Sequence, residues 1–263
     1  MIGIFDSGLG GLSVLAAVAR ALPQADLTYL ADTAHVPYGA KSDALIRERV
    51  LAIGQHLVVL GCDVLVVACN TATAAAVEAL RQQHPDIPVV GIEPGIKPAA
   101  ASSQTRRIAV LTTESTACSE RLRKLVSEHS GSVAIHIEAC AGWATRVERL
   151  EFDSPAFTAE ITEKISPLLD SGIDRLVLGC THYSFLAPLL NPLIDGRAEL
   201  VDVADAVARQ VTRISGTRTH GNAQLNLLAT ATPERLRLAL PRLGLDWLAK
   251  RATPTPLASP IDI

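Results

Sequence analysis

Aromatic residues are scarce in this chain: four Phe, three Tyr and two Trp among 263 residues, with a single Met. Ala, Val, Leu and Ile must therefore fill the core, and a hydrophobic content of 48% supplies enough of them for a sizeable one. Charge is also sparse, at 19% of residues, with 27 acidic against 24 basic side chains and no long run of one sign. That balance excludes a mainly disordered chain. The lack of a basic patch or stripe argues against nucleic acid as a partner. No apolar run reaches the ~18 residues of a membrane helix, and the opening MIGIFDSG has neither the basic segment nor the apolar core of a secretion signal. A soluble, cytoplasmic protein with no membrane partner is expected. The five cysteines (Cys62, Cys69, Cys118, Cys140, Cys180) are odd in number and form no CxxC pair, which favours free thiols over disulfides or structural zinc.

What is present is an alternation of short apolar runs with helical patterns. Strands are expected at Ile2–Phe5, Val64–Ala68, Pro88–Ile92, Ile108–Leu111, Ala134–Ile137 and Leu176–Leu178. Helices are expected over Leu12–Leu22, Asp43–Leu60, Ala74–Gln83, Ser119–Glu128 and Pro155–Asp170. Gly61 suits a helix stop, and Ser154-Pro155 an N-cap with Pro at the first helical position. The pattern predicts an α/β fold of two similar doubly wound α/β domains, with the active site in the cleft between them.

An internal repeat supports two halves. DVLVVACNT (63–71) and DRLVLGCTH (174–182) each run an apolar strand into a cysteine and two polar residues. MIGIFDS (1–7) and RRIAVLT (106–112) form a weaker echo. The first domain is expected to comprise residues 1–97 plus 207–263, and the second residues 98–206. The Pro-rich stretch 252–263 reads as a poorly ordered tail.

The repeat singles out Cys69 and Cys180. A lone cysteine at a strand end is ordinarily a small buried hydrophobe. Here each stands where a strand meets a helix start, a setting that favours a thiolate, and each is followed by hydrogen-bonding residues ill suited to a core. Two such thiols facing one cleft suit stereochemical inversion, in which one base removes a proton and an acid returns one to the opposite face. DSGLGG (6–11) matches neither a dinucleotide fingerprint nor a P-loop. It reads either as a Gly-rich turn or as backbone amides that bind a carboxylate together with Ser7, leaving Asp6 to take a proton or position an ammonium. His182 is placed to assist Cys180. No Schiff-base lysine motif and no clustered metal ligands are visible, so neither cofactor nor metal is expected.

Five separated motifs, IGIFDSGLGGLSVL (2–15), YLADTAHVPYGAKS (29–42), VVACNTATA (66–74), GIEPGIKPA (91–99) and VLGCTHYSFL (177–186), resemble those of the glutamate racemases in the aspartate/glutamate racemase family, in the same order. The resemblance implies a cofactor-independent racemase that interconverts L- and D-glutamate and supplies D-glutamate for peptidoglycan in the bacterial cytoplasm. It implies Cys69 and Cys180 as the proton-transferring pair, with substrate contacts on Asp6, Ser7, Tyr38, Gly39, Asn70, Thr71, Thr181 and His182. Glu148 falls where the family carries an acidic residue and is an auxiliary candidate. The expected partner is the small-molecule substrate, and a homodimer is the expected assembly. Ser184 and His35 stand where the family has Pro and Arg. Aspartate racemase, or a two-lobed protein that binds a small acid without turnover, are the competing readings.

Overall fold

The computed structural model describes residues 1–216 and 221–252, and the backbone of residues 257 and 258. Ten strands lie in two sheets. The strands are β1 (Ile2–Asp6), β2 (Leu27–Ala31), β3 (Val64–Val67), β4 (Val89–Gly91), β5 (Arg107–Thr112), β6 (Ala134–Ala139), β7 (Arg175–Leu178), β8 (Glu199–Val201), β9 (Leu225–Ala229) and β10 (Leu257–Ala258). One sheet has the order β10-β9-β2-β1-β3-β4 and the other β6-β5-β7-β8. Every pairing is parallel.

The helices are α1 (Leu12–Ala21), α2 (Asp43–Val59), α3 (Asn70–Gln83), α4 (Ile96–Ser102), α5 (Glu114–Cys118), α6 (Glu120–His129), α7 (Trp143–Glu148), α8 (Pro155–Asp170), α9 (Ala187–Ile194), α10 (Ala204–Ser215), α11 (Glu234–Arg242) and α12 (Asp246–Arg251). Several starts follow from capping. The Ser42 hydroxyl accepts from Leu45 N at 3.4 Å to open α2, and Ser154 accepts from Phe157 N at 3.2 Å with Pro155 in the first turn of α8. Among the described residues, no helix is long and apolar enough to cross a membrane.

The central strands β1 and β3 are buried throughout. Parallel strands covered on both faces need continuous apolar runs, which VLVV supplies. With so few aromatics, those present are concentrated. Trp143 meets Phe157 edge-on at 6.0 Å and Tyr183 at 5.6 Å beneath the second sheet. All three tyrosines are buried, and each spends its hydroxyl on a hydrogen bond within the chain. Tyr29 donates to Gly8 O at 2.6 Å, Tyr38 to an Asp32 carboxylate oxygen at 2.6 Å, and Tyr183 to Cys140 O at 3.0 Å.

The doubly wound expectation is met, with differences in detail. The helix expected from Ala74 begins at Asn70, because Cys69 itself caps it: its sulfur accepts from Ala72 N at 3.5 Å. After Cys180 the chain forms a 3₁₀ turn, Thr181–Leu186, before α9. Cys118, expected to pack structurally, is exposed at the end of α5. The tail expected over 252–263 lies mostly outside the described residues, as does His220. Leu257 and Ala258 pair with β9.

Candidate active site

In each sheet the chain winds outward in both directions from a central pair of strands, β1/β3 in one and β5/β7 in the other. Open α/β sheets bind ligands at the carboxyl ends of the strands where the order reverses. Asp6 ends β1, Cys69 lies just beyond β3, and Cys180 just beyond β7. The register aligns the halves: Ile2 pairs with Val64 as Ile108 pairs with Arg175. Counted from those pairs, Cys69 matches Cys180 and Ser7 matches Thr113. The sequence echo had set Ser7 against Thr112, one residue short. Thr113 was therefore missed, and with it Thr116. The Thr71 hydroxyl lies 3.2 Å from that of Thr113 and 3.1 Å from that of Thr116, so α3 of one half meets α5 of the other through three hydroxyls.

From these strand ends two polar chains start, one at each thiol. Cys69 Sγ lies 4.0 Å from Ser7 Oγ, which lies 3.4 Å from Asp6 Oδ1. Asp6 Oδ2 accepts from the Thr181 hydroxyl at 3.1 Å. On the far side Cys180 Sγ is 3.6 Å from His182 Nδ1, and His182 Nε2 is 2.5 Å from Glu148 Oε1. All of these side chains are buried, as are Asn70 and Thr71. Asn70 differs from the rest: neither its amide nitrogen nor its amide oxygen has a hydrogen-bond partner among the described residues. A buried amide left in that state is costly, and such groups call for an explanation.

The Gly-rich loop behaves differently from either reading of DSGLGG. Its amides do bind carboxylates, but the protein's own: Gly8 N donates to Asp6 Oδ1 at 2.7 Å and Leu9 N to Glu148 Oε1 at 2.5 Å. Asp6 is thus a fixed element of the loop, not a free group. The glycines permit close approach. A Cβ on Gly8 would collide with the Glu148 carboxylate, and one on Gly10 would lie 2.6 Å from the Thr181 hydroxyl. Tyr38 also differs from expectation, since its hydroxyl is given to Asp32. Gly39, half-buried, lies against Thr113, where an added Cβ would come to 3.1 Å of the Thr113 Cβ.

Burial dominates the electrostatics of the site. Burial, reinforced by the nearby Asp6 charge, pushes the Cys69 thiol well above its ordinary range. Burial likewise raises Asp6, against the opposing pull of His182. Burial alone would lower His182, but its hydrogen bonds to Cys180 and Glu148 outweigh that and hold it well above the ordinary imidazole value. The third cysteine nearby, Cys140, is pushed up to about 12 by burial. Asp6, Glu148 and His182 bring possible ligand atoms within 4.8 Å of one another. With His182 held as an imidazolium, both its nitrogens are donors, and Glu148 is already engaged by Leu9 and His182. Glu148 and His182 form a hydrogen-bonded relay to Cys180, and Asp6 is held separately by Gly8 N and the Thr181 hydroxyl, so the trio is not an open ligand set.

Fold and geometry together bring one thiol from each of two related α/β units to the carboxyl ends of the central strands. The chain belongs to the Asp/Glu/hydantoin racemase family, whose model matches residues 4–211. It is 42% identical over 246 residues to a glutamate racemase of Pseudomonas aeruginosa, covering 92% of this chain and 93% of that one. Among solved structures, it superposes on glutamate racemase isoform RacE1 of Bacillus anthracis with a TM-score of 0.83 at 29% identity, covering 100% of this chain and 97% of that one. The Escherichia coli glutamate racemase, solved with L-glutamate and the activator UDP-MurNAc-ala, gives 0.79 at 30% identity, covering 98% and 96%.

Proposed function

We propose that the protein is a glutamate racemase that moves the α-proton between two cysteines, and that it supplies D-glutamate for peptidoglycan. The observation that carries this reading is Asn70. A buried amide beside Cys69, with both its donor and its acceptor unused, calls for a ligand that accepts and donates at neighbouring atoms. An α-amino acid does so, through its carboxylate and its ammonium group.

In this reading Cys69 and Cys180 flank Cα. Burial keeps Cys69 as a thiol, so the resting site is poised to donate a proton on that side. Cys180, beside His182, takes the α-proton from L-glutamate, and Cys69 delivers its own proton to the opposite face. The product is D-glutamate, and the sulfur that gave its proton becomes the acceptor for the reverse direction. The negative charge spreading into the substrate carboxylate is stabilised by amide and hydroxyl donors, with Ser7, Asn70, Thr71 and Thr181 as contacts and Thr113 and Thr116 behind them. Asp6 positions the loop and the proton chain, and Glu148 orients and charges His182. Tyr38 and Gly39 form the wall that meets the rest of the substrate. Residues 1–97 with 207–263 and residues 98–206 serve as the two domains, with both changeovers inside helices, α4 and α10. A homodimer in the cytoplasm, with no cofactor, completes the reading.

The test is chiral chromatography of L- and D-glutamate and of L- and D-aspartate, incubated with protein dialysed against EDTA and hydroxylamine. Interconversion of glutamate, with solvent deuterium entering at Cα, is expected. Preference for aspartate, or activity restored only by an added cofactor or metal, overturns it.

A further inference from the structure

Seventeen residues apart in sequence, Asp32 at the end of β2 and Arg49 in the middle of α2 meet in the interior. Arg49 is 2% exposed and Asp32 fully buried. The guanidinium grips the carboxylate with two bonds, Nε to Oδ2 and Nη2 to Oδ1, both 2.9 Å. Three further groups converge on the same carboxylate. The Tyr38 hydroxyl donates to Oδ2 at 2.6 Å, the Thr230 hydroxyl donates to Oδ1 at 2.8 Å, and His35 Nδ1 lies 3.1 Å from Oδ1. His35, at the position where the resemblance led us to expect arginine, is thus part of this cluster.

A buried ion pair is a poor means of holding a helix onto a sheet. Apolar residues of similar size usually do as well or better, whereas a pair with a full set of hydrogen bonds fixes one arrangement of its partners. Here the partner fixed is Tyr38, which opens the short 3₁₀ turn Tyr38–Ala40. The Tyr38 ring is buried close enough to Cys69 for the two groups to interact electrostatically, and the next residue, Gly39, abuts Thr113 on the opposite half. The carboxylate therefore ties three separate elements, α2, the end of β9 and the 35–40 segment, to one wall of the candidate site.

We propose that Arg49 is a positioning residue for the Tyr38–Gly39 wall, acting through the Asp32 carboxylate, and so sets how well the site holds glutamate. The inference rests on the racemase reading above. Arg49 does not touch the substrate. Lysine at this position keeps the charge but cannot form the two-point fork, so the Asp32 carboxylate and the Tyr38 hydroxyl lose their fixed geometry. Displacements of about 1 Å in such supporting groups can cost ~10²-fold in activity.

The experiment compares steady-state kinetics on glutamate for the unaltered chain, Arg49→Lys and Thr230→Val, with thermal melting of each. The Arg49→Lys variant is expected to raise KM about tenfold while kcat changes less than about threefold, the signature of lost ground-state and transition-state binding alike. Thr230→Val keeps the ion pair and the side-chain volume and removes only the donor to Asp32 and the acceptor of the exposed Ala34 N, so it is the milder variant and is expected to raise KM by about threefold. If Arg49→Lys does not fold, Thr230→Val decides. A lowered melting temperature with KM unchanged in the folded variants would show a purely structural role and overturn the proposal. An unaltered chain that fails to racemise glutamate would instead overturn the functional reading, and this inference with it.

Discussion

Replacing Glu148 by Gln leaves the shape of the relay intact and removes its negative charge. Gln Oε1 can still accept from Leu9 N, now 2.5 Å from Glu148 Oε1, so the loop stays anchored. What is lost is the charge-assisted bond to His182 Nε2, also 2.5 Å and fully buried. Such a bond contributes about 1.5–3 kcal/mol, which at about 1.4 kcal/mol per decade corresponds to about a ten- to hundredfold fall in kcat/KM. The two enantiomers have equal free energy in water, so the ratio of kcat/KM values cannot move, and the fall must be the same from L- and from D-glutamate. The pH profile carries the sharper test. His182 is held above its ordinary value by its hydrogen bonds to Cys180 and Glu148, so removing one partner lowers it. The imidazolium then survives only to lower pH, and the alkaline limb of kcat/KM moves to lower pH with it. Stability follows the same sign: the contribution of protonated His182 is present below the ordinary imidazole value and is lost as pH rises through the folded value, a loss that begins earlier in the variant. Polarimetric rates across pH, from both enantiomers, measure all of this. An unmoved alkaline limb together with a loss under threefold would refute the relay.

Cys69→Ala and Cys180→Ala should each abolish racemisation, since one face of Cα loses its proton carrier. On a substrate with a β-leaving group, each should still eliminate from one enantiomer, Cys180→Ala from the D form and Cys69→Ala from the L form; racemisation by either variant would end the two-base reading. Asn70→Ala should change the free energy of unfolding by less than about 1 kcal/mol, because its amide bonds nothing among the described residues, yet lower kcat/KM by about a hundredfold through two lost contacts to charged groups. Urea denaturation set beside kinetics separates the two effects, and a large stability loss would contradict the assignment. Gly8→Ala should push the Glu148 carboxylate off Leu9 N. Its activity loss should be non-additive with that of Glu148→Gln in a double-mutant cycle, and strict additivity would place the damage elsewhere.

The fold was legible where one physical cue dominated. VLVV at Val64–Val67 reads as a strand because every residue is apolar, and all four are buried. The helix Pro155–Asp170 was expected at its observed bounds because Ser154 and Pro155 mark its start and Gly172 follows its end. The start of α3 was misplaced at Ala74 because Asn70 and Thr71 look like loop residues; a sulfur as N-cap has little sequence signal. The site was half legible. Cys69 and Cys180 stood out because a repeat marks them, whereas Thr113 was hidden by an echo aligned one residue off the true register. Arg49 and Asp32 carry no local signature at all. Their meaning arises only when α2 packs across the end of β2.

The same register explains why two such similar halves make an asymmetric site. Racemisation needs two proton carriers related by a near-mirror across Cα, and duplicating a strand end supplies them. Glutamate's side chain, however, must be held only once, so the halves have to differ somewhere. They differ at one equivalent place. The strand beside β1 is β2 and the strand beside β5 is β6, and each is followed, before its long helix, by an inserted segment. In the first half that segment carries Tyr38 and Gly39, and Gly39 reaches across to Thr113. In the second it is α7, whose Glu148 reaches across to Leu9 N and bonds His182 of its own half. Each half thus completes the other's site from the same topological position. In the proposed site the first half contributes a wall and the second a charge, and the charge falls on the side of Cys180, whose neighbour is His182, while the Cys69 sulfur has the Ala72 amide that it caps and the Ser7–Asp6 pair. A site built this way keeps the geometric symmetry that proton exchange between two faces requires and gives up the electrostatic symmetry, which a substrate of fixed orientation does not need.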